Sequence, residues 1–417
     1  MKTIAIIGGG AAGLAAAITA ASVLQRTGHA ARILLVERLD RVGKKILATG
    51  NGRCNLTNTC LSPSDYHSSQ PDAVKTVLSQ YPPKKIMDFF AEIGLLCKVQ
   101  ADGKTYPYSF QASSVLDVLR YACMVRGIEE RCGFPVCRLT YTSKGFLLES
   151  PDGQKQRADR VIVATGGKAA PGLGANGSGY ALVQSFGHTC TPLFPSLVQL
   201  KSSNPSVRPL KGIRAYCRAD AEIKGQIRRS EWGEVLFTEY GLSGIPILQL
   251  SRIFSTQTGK TKGSVRLDLL PDLSEEALAG MLSMRKKQKG EMLLEHFLLG
   301  LISKKIAHTL LKELGLFPLS RPSATLSPEE LQTLAFRIKH WTFPVTGTLS
   351  WDSAQITAGG LLCHEFNLAT MESRLQKGLY TAGEILDVDG DCGGFNLHWA
   401  WSTGCLAGQS AAESLFL

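Results

Sequence analysis

No Cys-x-x-Cys pair occurs in this chain, and no histidine stands at zinc-ligand spacing from a cysteine cluster, although there are 11 cysteines in all. Scattered and odd in number, they exclude a disulfide framework as the organising device. Reduced, mostly buried thiols are expected, and no metal site. Charged residues are also scarce, at 19% against 44% hydrophobic, which excludes a disordered chain and describes a globular one with a large core. Long apolar runs are nearly absent. The one uncharged stretch of span length, residues 4 to 24, is broken by glycines and small residues and is followed at once by a second strand pattern. Lys2 alone is too thin a basic flank for a signal peptide, so a cytoplasmic, non-membrane protein is expected. Basic tails and aromatic-interleaved basic stripes are missing too, despite a net charge of +11. The densest cluster, Arg285, Lys286, Lys287 and Lys289 with Lys304 and Lys305, reads as a solvated helix face diluted by Glu275, Glu276, Glu291 and Glu295. Nucleic acid is therefore a lesser alternative as partner, behind a small molecule.

What the chain does have is concentrated at its start. Residues 3 to 7 are apolar and partly β-branched, as a buried parallel strand requires. Gly8, Gly10 and Gly13 follow in G-x-G-x-x-G spacing, then an Ala-rich helical pattern, then a second strand pattern ending at Glu37. Gly8 permits the turn, Gly10 lets a pyrophosphate approach the backbone, and Gly13 lets helix pack on strand. The N–H groups of Ala11 and Ala12 open a helix whose dipole favours phosphate. Glu37 is spaced to accept hydrogen bonds from ribose hydroxyls and disfavours a 2′-phosphate. The four features together point to a dinucleotide site where the glycine motif alone would be weak.

Residues 41 to 58 hold Lys44, Lys45, Thr49, Gly50, Asn51, Arg53, Cys54, Asn55 and Asn58 and fit no helical or strand period, so a polar loop returning over the dinucleotide is expected. An amphipathic helical stretch is expected over 72–96 around Pro82-Pro83, and a helix capped by Ser113 over 115–125. Alternating strands over 136–163 end in an apolar run leading to Thr165, Gly166 and Gly167, beside the same site. No second complete nucleotide domain follows. Residues 192–272 and 343–357 read as a β-rich insert, and 273–342 as a Lys-rich helical insert with starts at Ser274 and Ser327. Residues 1–191 and 358–417 make up the nucleotide-binding domain. Near the end a short strand runs into Gly383 and Glu384. Asp391, Cys392, Gly393, Gly394, Phe395, Asn396 and Leu397 then precede a closing helix from His398, a second helix N-terminus aimed at something electron-rich.

The segments 8–13, 44–58, 161–167, 237–244, 267–272 and 381–404 together resemble the bacterial YhiN/HI0933-like flavoproteins, a family that takes in aminoacetone oxidase-like and BaiN-like proteins. The resemblance spans nearly the whole chain. It implies an α/β, Rossmann-type FAD-binding domain of the glutathione-reductase type, interrupted by a β-barrel-like insert that carries a small helical insert. It implies non-covalent FAD held by Gly8, Gly10, Ala11, Ala12, Gly13, Glu37, Arg38, Lys44, Lys45, Thr49, Gly50, Asn51, Arg53, Cys54, Asn55, Val136, Thr165, Gly166, Gly167, Gly383, Glu384, Asp391, Gly393, Gly394, Phe395, Asn396 and Leu397.

The expected chemistry is hydride transfer at flavin N5 to or from a small organic substrate. Cys54, a thiol in the polar loop, and His398, at the expected helix start, are the candidate catalytic side chains. An NAD(P)H-linked reductase is the first expectation, with NAD(P)H visiting transiently. An oxygen-using amine or aminoketone oxidase comes next, then a flavin-containing RNA-binding or RNA-modifying protein.

Overall fold

The computed structural model of the chain describes residues 1–257 and 263–417. Residues 258–262, inside the expected β-rich insert, lie outside the described residues. The chain divides into two compact units, residues 1–195 with 355–417, and residues 196–354.

In the first unit β1 (Thr3–Ile7) is buried along its whole length. α1 (Ala11–Thr27) leads from it to β2 (Arg32–Val36), which pairs with it in parallel, Ile6 opposite Leu35. After α2 (Lys44–Ala48) the chain adds β3 (Glu129–Arg131) outside β2. It then crosses to the other side of β1 for β4 (Arg160–Val163), with Ile6 opposite Ile162, and ends with β5 (Leu379–Thr381) beside β4. All four pairings are parallel, and the strand order is β3-β2-β1-β4-β5, continued at one edge by two short antiparallel strands. The crossover direction reverses at the carboxyl end of β1, where open α/β sheets bind their ligands.

α3 (Phe395–Glu413) packs along α1. Gly404 and Gly408 lie on one face of α3 and bring its backbone onto α1. A Cβ on Gly404 would sit 2.4 Å from the Ala12 carbonyl oxygen, and one on Gly408 2.2 Å from that of Ala16. Only glycine allows backbones this close. Each contact advances four residues along both helices, so the two run in the same direction here. Phe395 precedes Gly404 by nine residues while Ala11 precedes Ala12 by one. The start of α3 therefore projects past that of α1 by about 12 Å, at 1.5 Å per residue.

The second unit is a closed barrel of six antiparallel strands, in the order Leu200–Ser202, Gly241–Ser243, Gln226–Phe237, Arg214–Ile223, Gly263–Asp268 and Trp341–Thr348. Phe237, Trp341 and Phe343 pack together in its core. Helices Glu275–Gln288, Lys304–Glu313 and Pro328–Lys339 fall between the last two of these strands in sequence. The expected Rossmann-type domain with a barrel insert is thus the fold of the chain.

Several expected details change. The segment after residue 43 is not wholly irregular: it begins with α2 and a 3-10 turn, Thr49–Gly52. The stretch around Pro82-Pro83 is two helices, Pro71–Gln80 and Pro83–Glu92, because a proline suits a first helical turn and breaks an interior. Gln111, not Ser113, occupies the N-cap of Ala112–Val125. α3 begins at Phe395, three residues before His398, because Gly394 takes a left-handed φ of 97° as its N-cap. Lys339, within the Lys-rich helical insert, is buried with its ammonium 2.8 Å from the Asp268 carboxylate and donating to the Leu270 carbonyl. A buried ammonium needs such partners.

Two glycine substitutions should separate close contact from chain entropy. Gly404→Ala should destabilise the protein by about 1–3 kcal/mol through overpacking. Gly280→Ala, in mid-helix with no neighbour within 4 Å of an added Cβ, should stabilise it by about 0.5–1 kcal/mol. Denaturant midpoints measure both, and equal effects would contradict the close-packing account.

Candidate functional site

The carboxyl ends of β1, β2, β4 and β5 converge on the turn between β1 and α1. Gly8, at φ 109°, leaves no room for a side chain, since a Cβ would meet the Ala164 carbonyl oxygen at 2.4 Å. At Gly13 a Cβ would meet the Gly8 carbonyl oxygen at 1.8 Å. Gly10 is different: a Cβ there would meet no atom of the chain within 4 Å. The α1 ladder starts with the Leu14 N–H on the Gly10 carbonyl, so the N–H groups of Ala11, Ala12 and Gly13 keep no acceptor among the described residues. Glu37 caps β2 beside them. Its carboxylate accepts from the Gly9 N–H at 2.8 Å and the Leu39 N–H at 2.9 Å, and it retains lone pairs for further donors.

The walls are tied by polar side chains. Arg38 donates to the Gly174 and Pro171 carbonyls. Lys44 pairs with Asp40 at 2.7 Å. Lys45 pairs with Glu384 at 2.7 Å, and the other Glu384 oxygen accepts from the Thr357 N–H at 2.9 Å. The Thr357 hydroxyl oxygen in turn accepts from the N–H groups of Lys168 and Ala169, and a Cβ on Gly167 would strike that oxygen at 2.3 Å. Gly166 is left-handed, and the buried hydroxyl of Thr165 has no hydrogen-bond partner among the described residues. Val136 is buried beyond Phe134, whose N–H donates to the Glu37 carbonyl.

Further along the site the 49–58 segment meets the start of α3. Gly50, Asn51 and Cys54 all take left-handed backbone. The Thr49 hydroxyl donates to the Ile46 carbonyl, and Arg53 lies over the Tyr106 ring at 5.2 Å. Asn55 is buried with its side-chain oxygen accepting from the Thr105 N–H. Asn58 donates to the Gly393 carbonyl at 3.1 Å, and the Tyr66 hydroxyl to that of Phe395 at 3.0 Å. Asn396 holds the preceding loop, accepting from the Gly390 N–H and donating to the Gly390 and Asp391 carbonyls. The Gly383 N–H donates to the Thr403 hydroxyl. Leu397 is half-buried, and the α3 ladder starts with the His398 N–H on Gly394. The N–H groups of Phe395, Asn396 and Leu397 are therefore the second set without acceptors among the described residues. The site thus offers two helix N-termini offset by about 12 Å along the helix direction, an open side at Gly10 and an acid at Glu37. These fit an extended dinucleotide whose far end is electron-rich.

Cys54 and His398 do not sit as reactive groups. Cys54 is fully buried, and burial pushes its thiol up to about 12, so it stays protonated at neutral pH. His398 is fully buried as well. Its Nε2 lies 2.9 Å from the Tyr81 carbonyl, which can only accept, so Nδ1 is the acceptor for the Thr57 hydroxyl at 2.8 Å. Burial pushes it down to about 4. Desolvation is the main cause of that low value. Tyr66 and His67, near the start of α3, lie outside every motif and carry no periodic signal, while Thr57, within the 44–58 segment, and Tyr106 carry none that marks them individually.

His398 should make the fold acid-sensitive. Neutral in the folded protein down to about pH 4 and protonated below about 6.5 when unfolded, it contributes stability that is complete above pH 6.5. That contribution falls away between pH 6.5 and 4, by about 3 kcal/mol in total at 1.36 kcal/mol per unit. Denaturation of wild type and His398→Gln across this window should show a shallower slope in the variant, and identical slopes would contradict the assignment.

Comparison with known proteins places the chain. The family model described as the HI0933-like protein Rossmann domain matches residues 2–410. The 3-dehydro-bile acid delta(4,6)-reductase of Clostridium scindens is 40% identical over 99% of this chain and 100% of that one. The ribosomal RNA dihydrouridine synthase of Escherichia coli is 30% identical over 98% of each. Among solved structures, 3-ketosteroid delta1-dehydrogenase from Sterolibacterium denitrificans aligns with a TM-score of 0.51 at 13% identity, over 99% of this chain and 100% of that one, a likeness of fold. The chain belongs to the HI0933-like family and is an FAD-dependent oxidoreductase.

Proposed function

We propose that the chain is an NAD(P)H-linked reductase that adds two hydrogens to a carbon–carbon double bond conjugated with a carbonyl in a small organic substrate. The observation that carries this reading is full-length identity of 40% with a protein named as a delta(4,6)-reductase of a 3-dehydro bile acid. A second relative, at 30%, is named for making dihydrouridine, which is also saturation of a ring double bond next to a carbonyl. Shared chemistry at two such different substrates favours reduction over the amine oxidase alternative.

In this reading Gly10 with the N–H groups of Ala11, Ala12 and Gly13 holds the pyrophosphate, and Glu37 the adenosine ribose. The N–H groups at the start of α3 face the N1–C2=O end of the ring, where they favour negative charge. When bound, FAD supplies hydride transfer at N5. Lys45 and Glu384 hold the wall, and Cys54 and His398 act as packing anchors without joining the chemistry. With no second nucleotide domain, NAD(P)H docks only transiently.

RNA as the substrate carrier is the second reading, and the dihydrouridine synthase relatives favour it. Against it, several cations of the helical segment are internally engaged, although Lys287, Lys289, Lys304 and Lys305 are exposed. Arg337 pairs with Glu313, Lys286 and Arg285 donate to the Leu326 and Leu299 carbonyls, and Lys339 is buried. Among the described residues no helix is long and apolar enough to cross a membrane.

The purified protein should be yellow, and anaerobic NADH or NADPH should bleach the flavin. A 3-oxo-Δ4 steroid, used as probe, should then restore the colour. Bleaching by neither nucleotide, with peroxide formed from an amine, would overturn the reading. Gly10→Ala should lower FAD affinity about tenfold or more, equivalent to about 1.4 kcal/mol, at unchanged thermal stability. Unchanged FAD affinity would remove Gly10 from the pyrophosphate cradle.

A further inference from the structure

Saturating a conjugated double bond needs a hydride at one carbon and a proton at its neighbour. Neither of the candidate catalytic side chains is placed to give that proton, because Cys54 and His398 are both fully buried. His67 is placed differently. Its two-residue strand Tyr66–His67 pairs antiparallel with Asp389–Gly390, and the Asp391 N–H donates to the Asp65 carbonyl at 2.9 Å. These bonds fasten His67 to the loop that ends at Gly394, the N-cap of α3. Asn396, in the first turn of α3, holds the same loop through Gly390 and Asp391. The imidazole is thus tied to the helix start and not to the phosphate end.

The His67 Nε2 lies 3.0 Å from the Asp391 Oδ1. An ionised carboxylate only accepts, so Nε2 carries a hydrogen and Nδ1 is the atom free to exchange one. Nδ1 has no hydrogen-bond partner among the described residues, and the side chain is 27% exposed, in contrast to His398. A carboxylate that orients one imidazole nitrogen and leaves the other to move a proton is the arrangement of general acid–base catalysis.

We propose that His67 delivers the proton in the reduction, from Nδ1, and that Asp391 is its positioning residue. This rests on the reductase reading above. Bound FAD would supply the hydride, with an electron pair drawn from NAD(P)H, to the carbon remote from the carbonyl. The π electrons move to the carbon beside the carbonyl, which takes the proton from Nδ1. The imidazolium becomes a neutral imidazole that keeps Nε2–H on Asp391 and regains its proton from water. One substrate, one NAD(P)H and one proton give the saturated ketone and NAD(P)+.

The test is anaerobic rapid mixing in two halves, with wild type, His67→Gln and Asp391→Asn. Flavin reduction by NAD(P)H should stay within about twofold of wild type in His67→Gln. Reoxidation by a 3-oxo-Δ4 steroid should slow in His67→Gln by about 10²–10⁴-fold, the usual worth of a general acid, and less in Asp391→Asn. Independently of turnover, 15N NMR of the purified wild type should find His67 protonated at Nε2, and Asp391→Asn should lose that preference. Wild-type reoxidation in His67→Gln overturns the proton role alone. So does equal loss of both halves with a lower melting temperature, which would mark a structural residue, and so does an Nδ1-protonated neutral tautomer. Failure of both halves in wild type overturns the reductase reading and this proposal with it.

Discussion

The contact of α3 with α1 through Gly404 and Gly408 governs where the rest of the site can stand. Two carbonyl oxygens of α1 occupy the space that Cβ atoms on α3 would need. The helices can therefore slide neither apart without losing the contact nor along each other without a clash. That register sets the offset between their N-termini, and the offset matches the extended ligand proposed here. In the proposed reading one group of N–H donors would serve phosphate charge and the other a ring on which charge gathers during reduction. Both are set by the packing of the two helices, and dipoles so held act without reorganisation.

Glu384 plays the corresponding part across the sheet ends. It joins α2 through Lys45 and the extended segment at Thr357 through its N–H, while Thr357 holds the turn after β4. The pair is partly exposed, so its value is geometric more than energetic, and its loss would free three segments at once. The left-handed residues Gly50, Asn51 and Cys54 fold the polar loop back toward α3. Buried Asn55 and the Thr57–His398 bond then lock it there.

Much of the phosphate end was legible in the sequence because it is local: the strand, the glycines and Glu37 lie within the first 37 residues and follow one spacing rule. Closure of the barrel was less legible, since Leu200–Ser202 must find Trp341–Thr348 far along the chain. Cys54 and His398 read as reactive because polar neighbours in sequence say nothing about depth; burial by distant segments reverses that reading. Lys339, in the Lys-rich insert, is buried in the same way. His67 left no trace in the sequence because its partner, Asp391, is 324 residues away.

The most direct test of this account is a crystal structure of the protein with its flavin bound. It should show the pyrophosphate against Gly10 and the N–H groups of Ala11, Ala12 and Gly13, a ribose on Glu37, and the N1–C2=O edge of the ring on the start of α3. A flavin ring turned away from Phe395, Asn396 and Leu397, or an FAD bound elsewhere in the chain, would contradict it.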